Sequence, residues 1–92
     1  MLENVLVIVP TYNESGYIGK LLPKLFELNL DVLVVDDGST DGTIEIAKSI
    51  DPKSNKINFL IRKSKQGLGS AYRAGYAWAL ANGYKKIGRA HV

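Results

Sequence analysis

Adjacent carboxylates at Asp36 and Asp37 close an apolar run and open a turn rich in small polar residues, Gly38-Ser39-Thr40-Asp41-Gly42-Thr43. Successive residues of an extended segment point to opposite faces, so the two acids have different jobs. One can accept hydrogen bonds from a base or a ribose, while the other ties down the turn through backbone N–H groups. The alternative is that both only cap the turn and the next helix, a role Asp fills well. A second polar segment, Pro10-Thr11-Tyr12-Asn13-Glu14, follows the first apolar run. Its tyrosine can stack on a base, or can cover the edge of a core with its hydroxyl in water.

A third segment, Lys65-Gln66-Gly67-Leu68-Gly69-Ser70, precedes a helical pattern. Its glycines can bring backbone N–H groups to a phosphate at the helix N-terminus. They lack the spacing of the dinucleotide fingerprint and the lysine of the phosphate-binding loop, which favours close helix–sheet packing as their reason. The basic stretch Lys53, Lys56, Arg62, Lys63 and Lys65 has no interleaved aromatic residues, so it reads as a solvated face rather than a nucleic-acid groove. His91, the only histidine, sits in the tail and is given no role.

The elements that position these segments follow from periodicity. Asn4 to Val9 is a run rich in β-branched residues, of the kind buried on both faces of a parallel sheet, and Asp31 to Val35 is a second buried strand. Lys56 to Arg62 alternates Ile57, Phe59 and Ile61 as a third strand, and Lys85 onward begins a fourth. Ile18, Leu21, Leu22, Leu25 and Phe26 fall on one helical face, with Asn13 or Ser15 as the cap and Pro23 predicting a kink or a late start. Ser39 or Asp41 caps a second helix that turns Ile44, Ala47 and Ile50 inward. Gly69 to Ala81 is a third helix, with Ala71, Ala74, Gly75, Ala77, Trp78 and Leu80 as its inner side and Asn82-Gly83 as its stop. Strands alternating with helices argue for an α/β fold, a Rossmann-like parallel sheet with helices on both faces. In such sheets ligands bind outside the carboxyl ends of the strands, where all three polar segments fall.

Composition bounds the rest. Ninety-two residues make one small domain, burying about 60–65% of the unfolded surface. Hydrophobic residues at 46% and charged residues at 23% are the balance of a soluble globule. With no cysteine there is no disulfide, thiol nucleophile or thiolate metal site. Apolar runs are far shorter than the roughly 20 residues of a membrane span. The first residues lack a signal-peptide pattern, so a cytoplasmic protein is expected. All nine acids lie in the first 51 residues, and all the charges from Lys53 onward are basic.

The three segments together resemble a known family. Val7-Ile8-Val9-Pro10-Thr11-Tyr12-Asn13-Glu14, Val34-Val35-Asp36-Asp37-Gly38-Ser39-Thr40-Asp41-Gly42-Thr43 and Gly67-Leu68-Gly69-Ser70-Ala71-Tyr72-Arg73-Ala74-Gly75 look like the start of a family-2 glycosyltransferase, closest to the polyprenyl (dolichyl) phosphate mannosyltransferase group. The resemblance implies the N-terminal half of a GT-A nucleotide-diphosphosugar fold. It implies that Pro10, Tyr12, Glu14, Val35 (through its backbone) and Asp37 contact the nucleotide sugar, and that Asp36 supports the turn. It further implies transfer of a hexose, mannose from GDP-mannose, to a polyprenyl or dolichyl phosphate. Mg²⁺ or Mn²⁺ is the implied cofactor, bound by an Asp-x-Asp that should follow the fourth strand and is absent from this chain. The fragment alone is therefore expected to be inactive. The implied partners are the nucleotide sugar and the lipid phosphate, with no nucleic acid. Localisation is then cytoplasmic, or peripheral at the cytoplasmic face of a membrane.

Other readings compete. Another nucleotide sugar and acceptor, or a non-catalytic nucleotide-binding module, would use the same segments. A phospho-accepting receiver pairs its acids after strand one, whereas here that strand ends in Pro-Thr-Tyr-Asn-Glu. The last six residues, Ile87 to Val92, break the hydrophobic pattern and match the in-frame translation of a common short-read sequencing adapter. They are expected to be a non-native tail, leaving residues 1–86 as the nucleotide-binding part of the domain.

Overall fold

The structure, a computed structural model, describes residues 5–53 and 56–90. Strands β1 (Val5–Thr11), β2 (Asp31–Asp36), β3 (Ile57–Ile61) and β4 (Lys86–Arg89) alternate with helices α1 (Ser15–Glu27), α2 (Thr43–Ile50) and α3 (Leu68–Ala81). The strands pair in parallel in the order β3-β2-β1-β4. The sheet has two packed faces, which is why β1 and β2 are continuous apolar runs. Val7, Val9, Val32 and Val34 meet Ile18 and Leu22 of α1 and Ala47 of α2. Leu6, Ile8, Leu33 and Val35 meet Ala71 and Ala79 of α3. The Rossmann-like α/β expectation holds.

Asn4, the first residue of the expected β1, and His91 lie outside the described residues. At its other end β1 runs past Val9 to Thr11, through a proline. Ile8 turns its carbonyl toward the β4 side, where it accepts the Ala90 N–H (3.0 Å). Pro10, two residues on, faces the same side beyond the last β1–β4 pair, Ile8 with Arg89. Its missing N–H therefore costs no ladder bond. Pro23 does not delay α1, which starts at Ser15 and carries the proline inside it. The three C-terminal residues of β4 are Ile87, Gly88 and Arg89 of the expected tail.

α3 differs from expectation in which face it buries. Ala71, Gly75 and Ala79 are buried, whereas Ala77 is exposed and Leu80 is 69% exposed. Positions four apart stack on one helical face, so Ala79 takes the place expected of Ala77 and Leu80. The glycine that packs closely is Gly75, where a Cβ would stand 2.7 Å from Ile8 Cγ2. Gly67 and Gly69 do not have that role. A Cβ at Gly67 would meet nothing within 4 Å, but its φ of +92° is one that side chains avoid. Within β3, Ile57 is buried, Phe59 is half-buried against the core and Ile61 is 57% exposed, so cover of the alternating face fades along the strand.

At the amino end of the sheet, Tyr84 Oη donates to Asp31 Oδ2 (2.7 Å). Burial, reinforced by that carboxylate, pushes the phenol up to about 12. Trp78 stacks on Tyr84 with ring centroids 6.2 Å apart.

Gly75 and Gly16 make a matched test of this packing. Ile8 is fully buried, and a Cβ at Gly75 would stand within 3.2 Å of its Cγ2, Cδ1 and Cγ1, so that side chain must shift. Gly75→Ala is expected to destabilise by about 1–3 kcal/mol through overpacking. A Cβ at Gly16 meets nothing within 4 Å. Gly16→Ala is expected to be neutral or to stabilise by up to about 1 kcal/mol. Urea midpoints at constant m-value measure both.

Candidate nucleotide site

The β1–β2 register sets Thr11 beside Asp36 at the carboxyl end of the sheet. Asp36 is 1% exposed and accepts four hydrogen bonds. Thr11 Oγ1 and Ser39 Oγ each donate to Oδ1 at 2.6 Å, and the N–H groups of Gly38 and Ser39 donate to Oδ2 at 3.1 and 2.8 Å. Asp36 is thus the turn support expected of it. Gly38 completes the turn at φ +85°, where a Cβ would come within 3.1 Å of the Lys63 carbonyl.

The two loops above β1 and β2 are laced by reciprocal bonds. Ser39 Oγ accepts the Asn13 N–H (2.8 Å), and Asn13 Oδ1 accepts the Thr40 N–H (2.8 Å). Thr43 Oγ1 accepts the Glu14 N–H (3.0 Å), and Asp41 Oδ2 accepts the Ser15 N–H (3.1 Å). Helix N-terminal N–H groups need partners from outside the helix. For α1 these come from the second loop, so neither Asn13 nor Ser15 caps it by its own side chain. Asp41 also accepts both the N–H and the hydroxyl of Thr43 at the start of α2. It therefore serves two helices from one position before the α2 cap, Gly42. The Thr43 hydroxyl bond and the N–H groups of Ser15 and Thr43 outweigh desolvation and hold the Asp41 carboxyl down to about 2.

Asp37 turns the other way. Arg62 grips it with a two-pronged contact, Nε to Oδ1 at 2.6 Å and Nη2 to Oδ2 at 2.9 Å, and the Gln66 N–H donates to Oδ2 (3.1 Å). The two side chains are 7% and 11% exposed, Asp37 the more buried. Burial pushes the Asp37 carboxyl up. The Arg62 and Gln66 hydrogen bonds and the positive charges of Arg62 and Lys65 overcome that and hold it below its ordinary value. The third nitrogen of the guanidinium, Nη1, donates to Ser70 Oγ in the first turn of α3 (2.8 Å).

A cavity of about 200 Å³ opens between these features. Pro10, Tyr12, Glu14 and Asp37 line it, with Thr11, Lys65, Gly67, Leu68 and Ala71 completing the wall. Four of the five residues expected to hold a nucleotide sugar are therefore brought together. Val35 is not among them: it pairs with Pro10 and Leu60 in the sheet, and its side chain is fully buried under α3. Lys65 Nζ lies 4.9 Å from the centre of the Tyr12 ring. The amino end of α3, with no acidic residue in its first turn, faces the cavity through Gly67 and Leu68. Such an end is partially positive. The wall thus offers a flat ring, two carboxylates, one ammonium and backbone donors, the groups that bind a nucleoside carrying phosphates.

Arg62 corrects the reading of the basic stretch as a solvated face, since it is largely withdrawn from solvent against Asp37, whereas Lys65 is exposed at the cavity wall. Asp36 pairs with Ile61 in the β2–β3 register, which sets residue 62 opposite residue 37. An arginine directly after strand three is the signal that would have located this contact. Among the described residues, no group of three His, Cys, Asp or Glu side chains could hold a metal ion. The residues present do not fit the expected metal, and both carboxylates of the pair are already engaged.

The family model described as glycosyl transferase family 2 matches residues 6–84. A polyprenol monophosphomannose synthase of Mycolicibacterium smegmatis is 40% identical over 90 residues, covering 92% of this chain and 33% of that protein. An undecaprenyl-phosphate mannosyltransferase of Micrococcus luteus is 44% identical over 82 residues, covering 87% of this chain and 34% of its own length. The chain thus spans about a third of these curated relatives. Among solved structures, a mannosyltransferase from Pyrobaculum calidifontis in complex with GDP-Man and Mn²⁺ superimposes with a TM-score of 0.74 at 29% identity, over 86% of this chain and 25% of the other.

The lacing makes stability depend on acid in a defined direction. Asp41 is held at about 2 against an ordinary 3.8, so its contribution is complete above 3.8 and is lost as pH falls toward 2. Asp37, also lowered, adds a slope of the same sign. Urea midpoints measured from pH 5 to about 2 should fall, and Asp41→Asn should flatten the slope while lowering stability at pH 5.

Proposed function

The chain belongs to glycosyl transferase family 2, and from that premise we propose that the whole protein transfers mannose from GDP-mannose to the phosphate of a polyprenyl or dolichyl lipid, with this portion holding the nucleotide. The observation that carries the reading is the convergence of Tyr12, Glu14 and Asp37 on one cavity at the strand ends. The Tyr12 ring offers its face to the base. Glu14 and Asp37 accept from N–H groups of the base or hydroxyls of the ribose, and the amino end of α3 favours the negative phosphates. The polyprenol phosphate relatives and the GDP-Man complex support mannose, guanine and the lipid acceptor.

In the transfer, an oxygen of the lipid phosphate forms a bond to the anomeric carbon of mannose. The bond from that carbon to the diphosphate oxygen breaks, and GDP leaves with the electron pair. The acceptor carries its own charge near neutral pH, since the second pKa of a phosphate monoester is about 6. No strong base is needed to activate it, in keeping with the absence of histidine and cysteine from the cavity wall. A divalent metal such as Mg²⁺ or Mn²⁺ would offset the charge of the departing diphosphate in the whole enzyme. No residue described here fits that task, so this portion alone is expected to bind nucleotide without turnover. No described helix is long and apolar enough to cross a membrane. The lipid acceptor nonetheless calls for work at the cytoplasmic face of one.

Calorimetric titration tests the reading. GDP and GDP-mannose should bind this chain more tightly than UDP or UDP-glucose. Tyr12→Ala should weaken GDP by about 5- to 100-fold, the range for losing one base–aromatic stack. Binding of none of these nucleotides, or a preference for UDP, would overturn the proposal.

A further inference from the structure

We infer that Arg62 is a positioning residue that holds Asp37 ionised and in one orientation, so that Asp37 meets the nucleoside with a single free acceptor site. The inference rests on the nucleotide-binding reading above. An ionised carboxylate has about four lone-pair sites for hydrogen bonds. Arg62 Nε takes one on Oδ1, and Arg62 Nη2 with the Gln66 N–H takes two on Oδ2. One site on Oδ1 is left for a ligand. The fork of an arginine fits both oxygens at once, which a lysine cannot do. Through Nη1 and Ser70 Oγ the same guanidinium ties this geometry to the start of α3. One side chain therefore sets the distance between the base-contacting carboxylate and the helix end that faces the phosphates.

Burial opposes the charge on Asp37, so removing Arg62 leaves a desolvated carboxylate with weaker support. The charged and titratable groups around it are Arg62 directly after β3, Lys65 in the same loop, and Glu14 and Tyr12 across the cavity. The neighbouring Asp36 is committed to Thr11, Gly38 and Ser39. Of these, Lys65 alone remains to favour the ionised form once Arg62 is gone. A purely structural arginine would change stability and leave the pH profile of binding unchanged in shape.

The test is GDP titration of the 92-residue chain between pH 4 and 8 for the wild type, Arg62→Met and Arg62→Lys, with urea midpoints for each. Arg62→Met should bind GDP at least about tenfold more weakly at pH 8, the scale of a charge-assisted contact. Relative to wild type, its deficit should grow as the pH falls and Asp37 takes up a proton. Adding Asp37→Asn should abolish that extra dependence. Arg62→Lys keeps the charge without the fork, so it should bind weakly with a profile parallel to wild type. If Arg62→Met fails to fold, Arg62→Lys decides alone: wild-type affinity in that variant overturns the inference. So does a deficit in Arg62→Met that stays constant across the pH range. Failure of the wild type to bind GDP would instead remove the nucleotide reading on which the inference stands.

Discussion

A buried carboxylate that must be satisfied sets the architecture of this end of the molecule. Asp36 is sealed from water, and a polar side chain is tolerated there only with its hydrogen bonds satisfied. Those donors come from the last residue of β1 and from the turn that follows β2. Parallel pairing of β1 with β2 brings Thr11 alongside, and the glycine at 38 lets the turn fold back far enough for two N–H groups to point inward. Once that turn is formed, Ser39, Asp41 and Thr43 stand where they can receive the backbone of the first loop. The positions of Tyr12 and Glu14 follow from this chain of bonds. Changes at Asp36 should therefore reach the cavity without touching a ligand.

The two neighbouring acids divide the work by the pleat of the strand. Asp36 faces the side of α1 and α2 and organises protein. Asp37 faces α3 and is presented to the cavity, but under the control of Arg62. This separation was legible from the sequence because strand alternation depends only on neighbours along the chain. The β1 and β2 cores were legible for a related reason: burial on both faces demands unbroken apolar runs, and Val7–Val9 and Val32–Val35 supply them.

What could not be read was the part that depends on register between distant strands. Arg62 looked like one more surface cation, since its place directly after strand three points to residue 37 only once the β2–β3 register is known. The N–H groups of Asn13, Glu14 and Ser15 carry no sequence identity at all, so their bonds to the second loop left no mark in the first. The face of α3 slipped for another reason. Its inner residues are alanine and glycine, and Ala77 and Ala79 are indistinguishable in hydropathy. Only the approach of Gly75 to Ile8 tells which stripe is inside. Proline at position 10 looked like a strand stop, yet it sits where its missing donor has no neighbour to serve.

Trp78, the single tryptophan, stacks on Tyr84 near the amino end of β2, while the cavity lies at the opposite end of α3. At 1.5 Å of rise per residue, Leu68 and Trp78 are separated by about 15 Å along the helix. The indole's emission therefore records loss of the helix–sheet junction and stays silent when the cavity fills. Optical melting curves of this chain, with and without ligand, share one undisturbed reporter.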